Sequence, residues 1–186
     1  ASFATDGGAL LTSNTVLGAD GHVTFSGSET IGTLVNSAPD NIAHGTVTLT
    51  GAGTILTVNG SANPLNPGAF NGTNGTIDGT GTLNITGGTF TVGAAGDVQT
   101  ATTVGASGTV VNDGSLTDVS NAGTVTNNGT GNILGTLSNT GAGGGSSSGT
   151  IATVAHDSTG TFSSSGLITN GVTVTDGTFS NTGTIQ

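Results

Sequence analysis

The 186-residue chain contains no lysine and no arginine, so it carries no permanent positive charge on any side chain. Proteins bind DNA and RNA largely by neutralising phosphates with these two residues, and that contribution is missing here. The same lack excludes a Schiff-base lysine, an arginine finger and a polybasic contact to anionic lipid. We therefore expect no nucleic-acid partner.

Cysteine, methionine, tryptophan and tyrosine are also absent. Without cysteine there is no disulfide framework, no thiol nucleophile and no zinc-thiolate site. With six Phe as the only aromatic residues, carbohydrate stacking on Trp or Tyr faces is disfavoured. The longest apolar runs are tripeptides such as Ala9-Leu10-Leu11, whereas a membrane-spanning helix needs about 18 or more apolar residues. We expect no membrane insertion.

Glycine, by contrast, is abundant at 36 residues, while hydrophobic residues make up 32% of the chain and charged residues 5%, with a net charge of -10. Such a lean composition is typical of disordered segments, but the apolar residues are placed too regularly for disorder. A short unit of Gly, Thr and an aliphatic residue or Phe recurs along the whole chain. Its glycines are Gly32, Gly45, Gly53, Gly75, Gly81, Gly88, Gly108, Gly123, Gly135, Gly149, Gly160, Gly177 and Gly183.

Around these units polar and β-branched residues alternate with period two, as in residues 47–50, 83–86 and 172–175. This pattern predicts strands, and Asn-Gly or Asp-Gly pairs between them predict tight turns. We expect an all-β protein. The units at Gly75, Gly81 and Gly88 follow one another at the spacing of single faces of a parallel β-solenoid (β-helix). A coil of about 19 residues gives at most nine or ten coils. The alternative all-β fold is an antiparallel β-sandwich, favoured by the many turn pairs.

Composition also suggests an organisation along the chain. Residues 1–40 are less regular and are expected to form an N-terminal cap or strand extension, and residues 41–186 the solenoid repeats. Residues 59–74 hold two of the three prolines and are expected to form a protruding loop. Residues 141–149, which are almost entirely Gly and Ser, are predicted to be a flexible loop.

Residue types that carry chemistry are sparse. His22, His44 and His156 are scattered without metal-ligand spacing, so we predict no metal, cofactor or catalytic site. The segment His156-Asp157-Ser158 has the letters of a catalytic triad, but neighbouring residues of a strand point to opposite faces. We interpret it as a turn and the protein as a non-enzyme. A polysaccharide-active β-helix enzyme with paired Asp residues stays open as an alternative.

Two sets of polar residues are candidate surface sites. Thr-x-Thr rows stacked in register would form a flat ladder of hydroxyl and methyl groups similar to those of ice-binding solenoids, which is the other alternative function. Asn-x-Ser/Thr sequons are candidate glycosylation sites. The threonines are Thr46, Thr48, Thr50, Thr89, Thr91, Thr124, Thr126, Thr173 and Thr175, and the sequon asparagines are Asn59, Asn71, Asn74, Asn84 and Asn128.

The segments 119–125, 137–141 and 179–185 share the pattern apolar, Ser, Asn, small residue, Gly. Over residues 75–186 the chain resembles the repeats of bacterial autotransporter passengers and filamentous-haemagglutinin-like adhesins. The resemblance implies a secreted right-handed β-helix that acts in adhesion, aggregation and biofilm formation. The opening Ala1-Ser2-Phe3-Ala4 fits a mature product whose signal peptide has been removed. We expect an extracellular or cell-surface protein.

The function expected from these features is that of a structural or adhesive subunit, or passenger segment, of a surface fibre or biofilm matrix. Residues 183–186 lie within a repeat and carry no charged or proline-rich stop. A strand edge without such a stop pairs readily with another chain. The expected partners are a second copy of the chain, joined head to tail by end stacking or strand addition, and components of the cell surface or matrix.

Overall fold

The computed structural model describes residues 75–186 in full and, before them, the backbone of eight strands between residues 2 and 73. All regular elements within this described part are β-strands, which confirms the all-β prediction. The early strands are β1 Ser2–Thr5, β2 Thr15–Leu17, β3 His22–Phe25, β4 Glu29–Ile31, β5 Leu34–Asn36, β6 Thr46–Leu49, β7 Ile55–Asn59 and β8 Asn71–Thr73. The next are β9 Thr76–Gly79, β10 Thr82–Val92, β11 Asp97–Val98, β12 Ala101–Asn112, β13 Ser115–Leu116, β14 Val119–Asn121 and β15 Thr124–Asn127. The last are β16 Asn132–Gly141, β17 Gly144–Ser147, β18 Thr150–Ser164, β19 Leu167–Ile168, β20 Val172–Asn181 and β21 Thr184–Ile185.

Within the described part these strands pair only in parallel, in three ladders that run along one axis. Ladder 1 joins β9, β11, β13, the start of β16, the start of β18, β19 and β21. Ladder 2 passes from the first half of β10 through β12, β14, β16 and β18 to β20. Ladder 3 passes from the second half of β10 through β12, β15, β17 and β18 to the end of β20. The protein is a parallel β-solenoid, and the antiparallel β-sandwich alternative is wrong.

One coil contributes one strand segment to each ladder. The segments that begin at Thr76, Thr82 and Thr89 belong to one coil, so the spacing of Gly75, Gly81 and Gly88 does mark single faces, as the sequence predicted. From β9 onward, paired residues of neighbouring coils are 15 to 21 positions apart and most often 17 or 18, as between Ser115 and Asn132 or between Asn132 and Thr150. The coil is thus slightly shorter than the expected length.

The interior is narrow and is filled by one or two side chains from each strand segment. Ladder 1 supplies a single aliphatic row in which every member is at most 1% exposed: Ile77, Val98, Leu116, Ile133, Ile151 and Ile168. Ladder 3 adds buried Phe90 and Phe162. Because neighbouring coils lie only about 4.8 Å apart, each interior side chain packs on its equivalent in the next coil. A core with few aromatic residues is sufficient for this geometry.

The glycines of the repeat unit are required by the close approach of neighbouring coils. Gly131, Gly149, Gly166 and Gly183 each precede a ladder 1 strand and form a column along the axis. A Cβ atom on any of the last three would collide with the carbonyl oxygen of the glycine below it in this column. At this corner any residue larger than glycine would displace the backbone. This requirement explains why glycine opens the repeat units at Gly149 and Gly183.

Two segments differ from what the sequence suggested. The Gly/Ser-rich residues 141–149 include strand β17, which pairs with β15 on one side and β18 on the other. Residues 156–158 are not a turn but part of β18, since they are held between coils by pairing with β16 and β20. The predicted loop at 59–74 lies outside the described residues except for the strand residues at its two ends. The predicted division at residue 40 stays a prediction.

Candidate functional site

The outer surface of ladder 3 carries two rows of small hydroxylated side chains, which we call the hydroxyl face. The register of this ladder is continuous from residue 89 to residue 92 and in the coils that follow, without the irregularities seen in ladder 2. The first row consists of Thr89, Thr109, Thr124, Gly144, Thr161 and Thr178, and the second of Thr91, Val111, Thr126, Ser146, Ser163 and Ser180.

A groove of about 400 Å³ follows the second row along its last four coils. One wall is this row from Thr126 to Ser180. The opposite wall is formed at the adjoining corner of the coils, where the chain turns from ladder 3 towards ladder 1, and consists of Asn128, Ser148, Ser165 and Thr182. The lining thus consists of hydroxyl and amide side chains and contains neither a carboxylate nor an aromatic ring.

The floor of the groove belongs to an interior row of polar residues. Asn112, Asn127, Ser147 and Ser164 are each at most 3% exposed and lie in successive coils at the end of ladder 3. Asn112 Nδ2 donates to Asn127 Oδ1 at 2.7 Å, and Asn127 Nδ2 donates to Ser147 Oγ at 3.1 Å. Side chains stacked in register thus exchange hydrogen bonds along the axis, as in the amide ladders of stacked strands.

This interior row is incompletely satisfied at the groove. Asn127 Nδ2 also donates to the carbonyl oxygens of Gly131 and Thr150 at 3.2 Å, so the amide is fully used. The next residues are not: Ser164 Oγ and Asn181 Oδ1 are both buried without a hydrogen-bond partner. A buried polar atom without a partner costs about 1–3 kcal/mol. The groove therefore contains unused hydrogen-bonding capacity at Ser164, which lines it.

A second interior polar row lies at the end of ladder 2, away from the groove. It consists of Asn121, Asn139 and His156, which are paired in register in successive coils. Asn121 Nδ2 donates to Asn139 Oδ1 at 2.8 Å, and His156 Nε2 lies 3.3 Å from the carbonyl oxygen of Gly160. His156 is 1% exposed and belongs to the core. Among residues 75–186 no group of three His, Cys, Asp or Glu side chains lies close enough together to hold a metal ion.

The predicted Thr-x-Thr residues do not form one surface. Thr89, Thr91, Thr124 and Thr126 lie on the hydroxyl face, where Thr109 of the intervening coil joins the first row. Thr173 and Thr175 lie on ladder 2 and are exposed. Thr46 and Thr48 belong to β6 of ladder 1, and Thr50 lies outside the described residues. The predicted motif thus contributes to the face in two coils, while Thr161 and Thr178, which also belong to it, were not predicted.

The predicted sequons are spread over different parts of the solenoid. Asn59 and Asn71 lie in β7 and β8, and Asn74 lies outside the described residues. Asn84 is half-buried in β10. Asn128 lies in the wall of the groove and donates from Nδ2 to Asp113 Oδ1 at 2.8 Å. Its amide nitrogen is therefore already engaged within the protein.

The sequence did not indicate the groove, because several of its residues have the composition of a flexible loop. Ser146, Ser147 and Ser148 followed by Gly149 read as part of a Gly/Ser-rich loop. The signal that identifies them is the recurrence of Ser-Ser-Ser-Gly 17 residues later, from Ser163 to Gly166, at the length of one coil. In each run the outer two serines point to the groove walls and the middle one to the floor.

Comparison of the chain with protein-family models, with curated proteins and with solved structures finds no match in any of the three. The molecule itself shows a β-helix repeat protein over residues 76–185. Within the described residues, no helix has the length and hydrophobicity needed to cross a bilayer.

Proposed function

We propose that this protein is an extracellular structural and adhesive β-solenoid of the kind found in bacterial autotransporter passengers and filamentous-haemagglutinin-like adhesins, and that it associates with further copies through the faces of its coils. The repeat segments at 119–125, 137–141 and 179–185 carry the family resemblance. A stack of like coils with an uncharged hydroxylated surface is suited to a fibre or matrix component rather than to a diffusing enzyme.

The observation that carries the proposal is the stacking of like coils in three parallel ladders, because a further coil of the same construction can pair with the edge strands β20 and β21. Val174 and Ile185 are 48% and 44% exposed, although their register equivalents in the preceding coil, His156 and Ile168, are at most 1% exposed. Phe179 is only partly buried, whereas Phe162, on which it stacks at a centroid distance of 6.2 Å, is fully buried. Ile185 and Phe179 continue the apolar rows of Ile168 and Phe162, while Val174 stands at the end of the polar row that contains His156.

Another coil of the same construction would cover this face of the last coil. It would place an aliphatic side chain on Ile185, as in every inner coil of ladder 1, and would pair with the outer backbone edges of β20 and β21. We expect that a second copy of the chain can supply this coil. The expected assembly is head to tail, because the two faces of a coil are not alike. Head-to-tail contacts along a straight axis build an open filament rather than a closed dimer.

Sedimentation velocity and negative-stain electron microscopy over a range of protein concentrations test the proposal. We expect concentration-dependent rods that are abolished by Ile185→Asp, because association would bury a carboxylate in the aliphatic row of ladder 1. Ser180→Asp adds the same charge on the exposed outer surface and is expected to leave the rods intact. Circular dichroism verifies that both variants keep the strand signal. A chain that stays monomeric at high concentration, or equal assembly by the two variants, refutes association through this face.

A second candidate function, ice binding, is favoured by the in-register row Thr89, Thr109 and Thr124 on the hydroxyl face. Thermal hysteresis of the purified protein distinguishes it from the structural function. The third alternative, a polysaccharide-active enzyme, needs a pair of carboxylates beside its substrate. The groove has none in its lining, so we do not propose it.

A further inference from the structure

We propose that the groove beside the hydroxyl face binds an extended, uncharged glycan that lies parallel to the solenoid axis. This inference rests on the adhesive part of the proposed function and identifies the surface and the class of ligand. The walls run from Thr126 to Ser180 on one side and from Asn128 to Thr182 on the other, with Ser164 at the floor.

The shape of the groove selects an extended ligand. Its second-row wall takes one residue from each of four successive strands: Thr126, Ser146, Ser163 and Ser180. Neighbouring strands are about 4.8 Å apart, so the wall offers hydroxyl groups at that interval over roughly 14 Å. A straight chain of sugar rings presents its own hydroxyl groups repeatedly along such a length, and a compact small molecule does not.

The chemistry of the lining selects a neutral, hydroxyl-rich ligand. A Ser or Thr hydroxyl both donates and accepts a hydrogen bond, which is also the behaviour of a sugar hydroxyl. The hydroxyls of Ser146, Ser163 and Ser180 make no hydrogen bond to another described residue, so their capacity is free for a ligand. With a net charge of -10 and no Lys or Arg, the chain repels anionic polysaccharides.

The floor supplies an independent indication of a ligand. Ser164 is 3% exposed and lines the groove, yet its Oγ has no hydrogen-bond partner, and neither does the buried Oδ1 of its register neighbour Asn181. The second atom only accepts, and the first can donate or accept. A ligand hydroxyl in the groove, or a water held beneath it, would satisfy Ser164 Oγ. Because the groove lacks an aromatic platform, hydrogen bonds provide the affinity, and we expect each site to bind in the millimolar range.

The test is a titration of the ¹⁵N-labelled protein, kept at a concentration where sedimentation shows monomers. The probes are the straight β-1,4-linked hexasaccharides of glucose, mannose and N-acetylglucosamine, with hexagalacturonate as the anionic comparison. We expect at least one neutral hexasaccharide to give saturable NMR shifts confined to coils that line the groove, and hexagalacturonate to give none. Absence of saturable shifts with all three neutral probes, shifts centred elsewhere, or equal binding of hexagalacturonate overturns the proposal.

Two variants with a matched control locate the site. Ser146→Val with Ser163→Val removes two paired wall hydroxyls and is expected to weaken binding about 4- to 100-fold, at about 2- to 10-fold per hydrogen bond. Ser120→Val with Ser138→Val makes the same change at paired outward positions of ladder 2 and is expected to leave affinity unchanged. Ser164→Ala is expected to weaken binding while the midpoint of unfolding stays the same or rises. Equal affinity of the two double variants overturns the assignment.

The test is independent of self-association. Binding is measured on monomers, and assembly is followed separately by sedimentation of the unliganded protein. Loss of rods with intact glycan binding refutes only the coil-face contact, and rods without glycan binding refute only the groove.

Discussion

Replacing Gly166 by alanine should destabilise the solenoid, although alanine is the better residue in most extended or helical backbones. Gly166 sits at the corner that precedes β19, where a Cβ would collide with the carbonyl oxygen of Gly149 in the coil below. Gly166 is not one of the glycines with a positive φ, so its backbone conformation does not itself require glycine. The expected loss therefore comes from the spacing of coils and not from backbone strain.

The magnitude follows from the hydrogen bonds on either side of the collision. Ser165 N donates to Ser147 O at 2.8 Å and Leu167 N donates to Gly149 O at 3.1 Å. To make room for a methyl group the two coils must separate here, which weakens both bonds at about 0.5–1.5 kcal/mol each. If the coils do not separate, the overpacked contact costs about 1–3 kcal/mol. Either route gives a destabilisation of about 1–3 kcal/mol.

Two other glycines distinguish the effect of a steric collision from that of backbone strain. Gly129 has open space around the position of a Cβ and no positive φ, so Gly129→Ala should stabilise the protein by about 0.4–1 kcal/mol through the unfolded chain. Gly171 also has open space but a φ of 105°, so Gly171→Ala should cost about 1–3 kcal/mol through backbone strain alone.

Urea unfolding followed by far-UV circular dichroism measures all three variants, because the chain has no Trp or Tyr for fluorescence. The midpoint should fall for Gly166→Ala and rise for Gly129→Ala. If Gly166→Ala is as stable as Gly129→Ala, the corner does not require glycine, and the explanation of the repeat unit given above is incorrect.

Two further substitutions test the interior by the same unfolding assay. Asn127→Ala removes an amide that bonds to Ser147 and two carbonyl groups, and should cost about 1–3 kcal/mol. Asn170→Ala, at an exposed position, should change stability by less than about 0.5 kcal/mol. A loss at Asn127 no larger than that at Asn170 would show that the interior amide row contributes nothing. Phe162→Ala empties a fully buried position and should cost about 3–5 kcal/mol, while Leu134→Ala, at 64% exposure, should be nearly neutral. A small loss at Phe162 would mean that neighbouring coils collapse into the space.

The fold was predictable because its repeat is visible in short units. Gly75, Gly81 and Gly88 indicated the three faces of a coil, since each unit opens with a glycine and continues with one buried apolar residue, Ile77, Leu83 or Phe90. The turn pairs were ambiguous: Asn128-Gly129 suits a hairpin as well as a solenoid corner. Only the pairing of whole coils decides between them, and that depends on contacts remote in sequence.

The groove could not be predicted from composition, because strand formation there is imposed by neighbours. Gly144 to Ser147 have weak strand propensity and are held as a strand by β15 below and β18 above. Likewise His156 was predicted to lie in a turn, because adjacent strand residues cannot form a catalytic relay, yet it pairs with Asn139 and lies in the core. Polar interior rows are stabilised by their equivalents in adjacent coils, and a single coil shows no sign of this.

The direction of the ladders determines how such a rod responds to force. Hydrogen bonds between coils run along the axis, so tension on the two ends places the same load on every coil. An end coil is paired on one side only and detaches first. Each detached coil of about 18 residues extends from a thickness of about 4.8 Å to roughly 60 Å of free chain. A surface fibre built in this way lengthens in discrete steps and dissipates a sudden load, while the coils that remain stacked keep their structure.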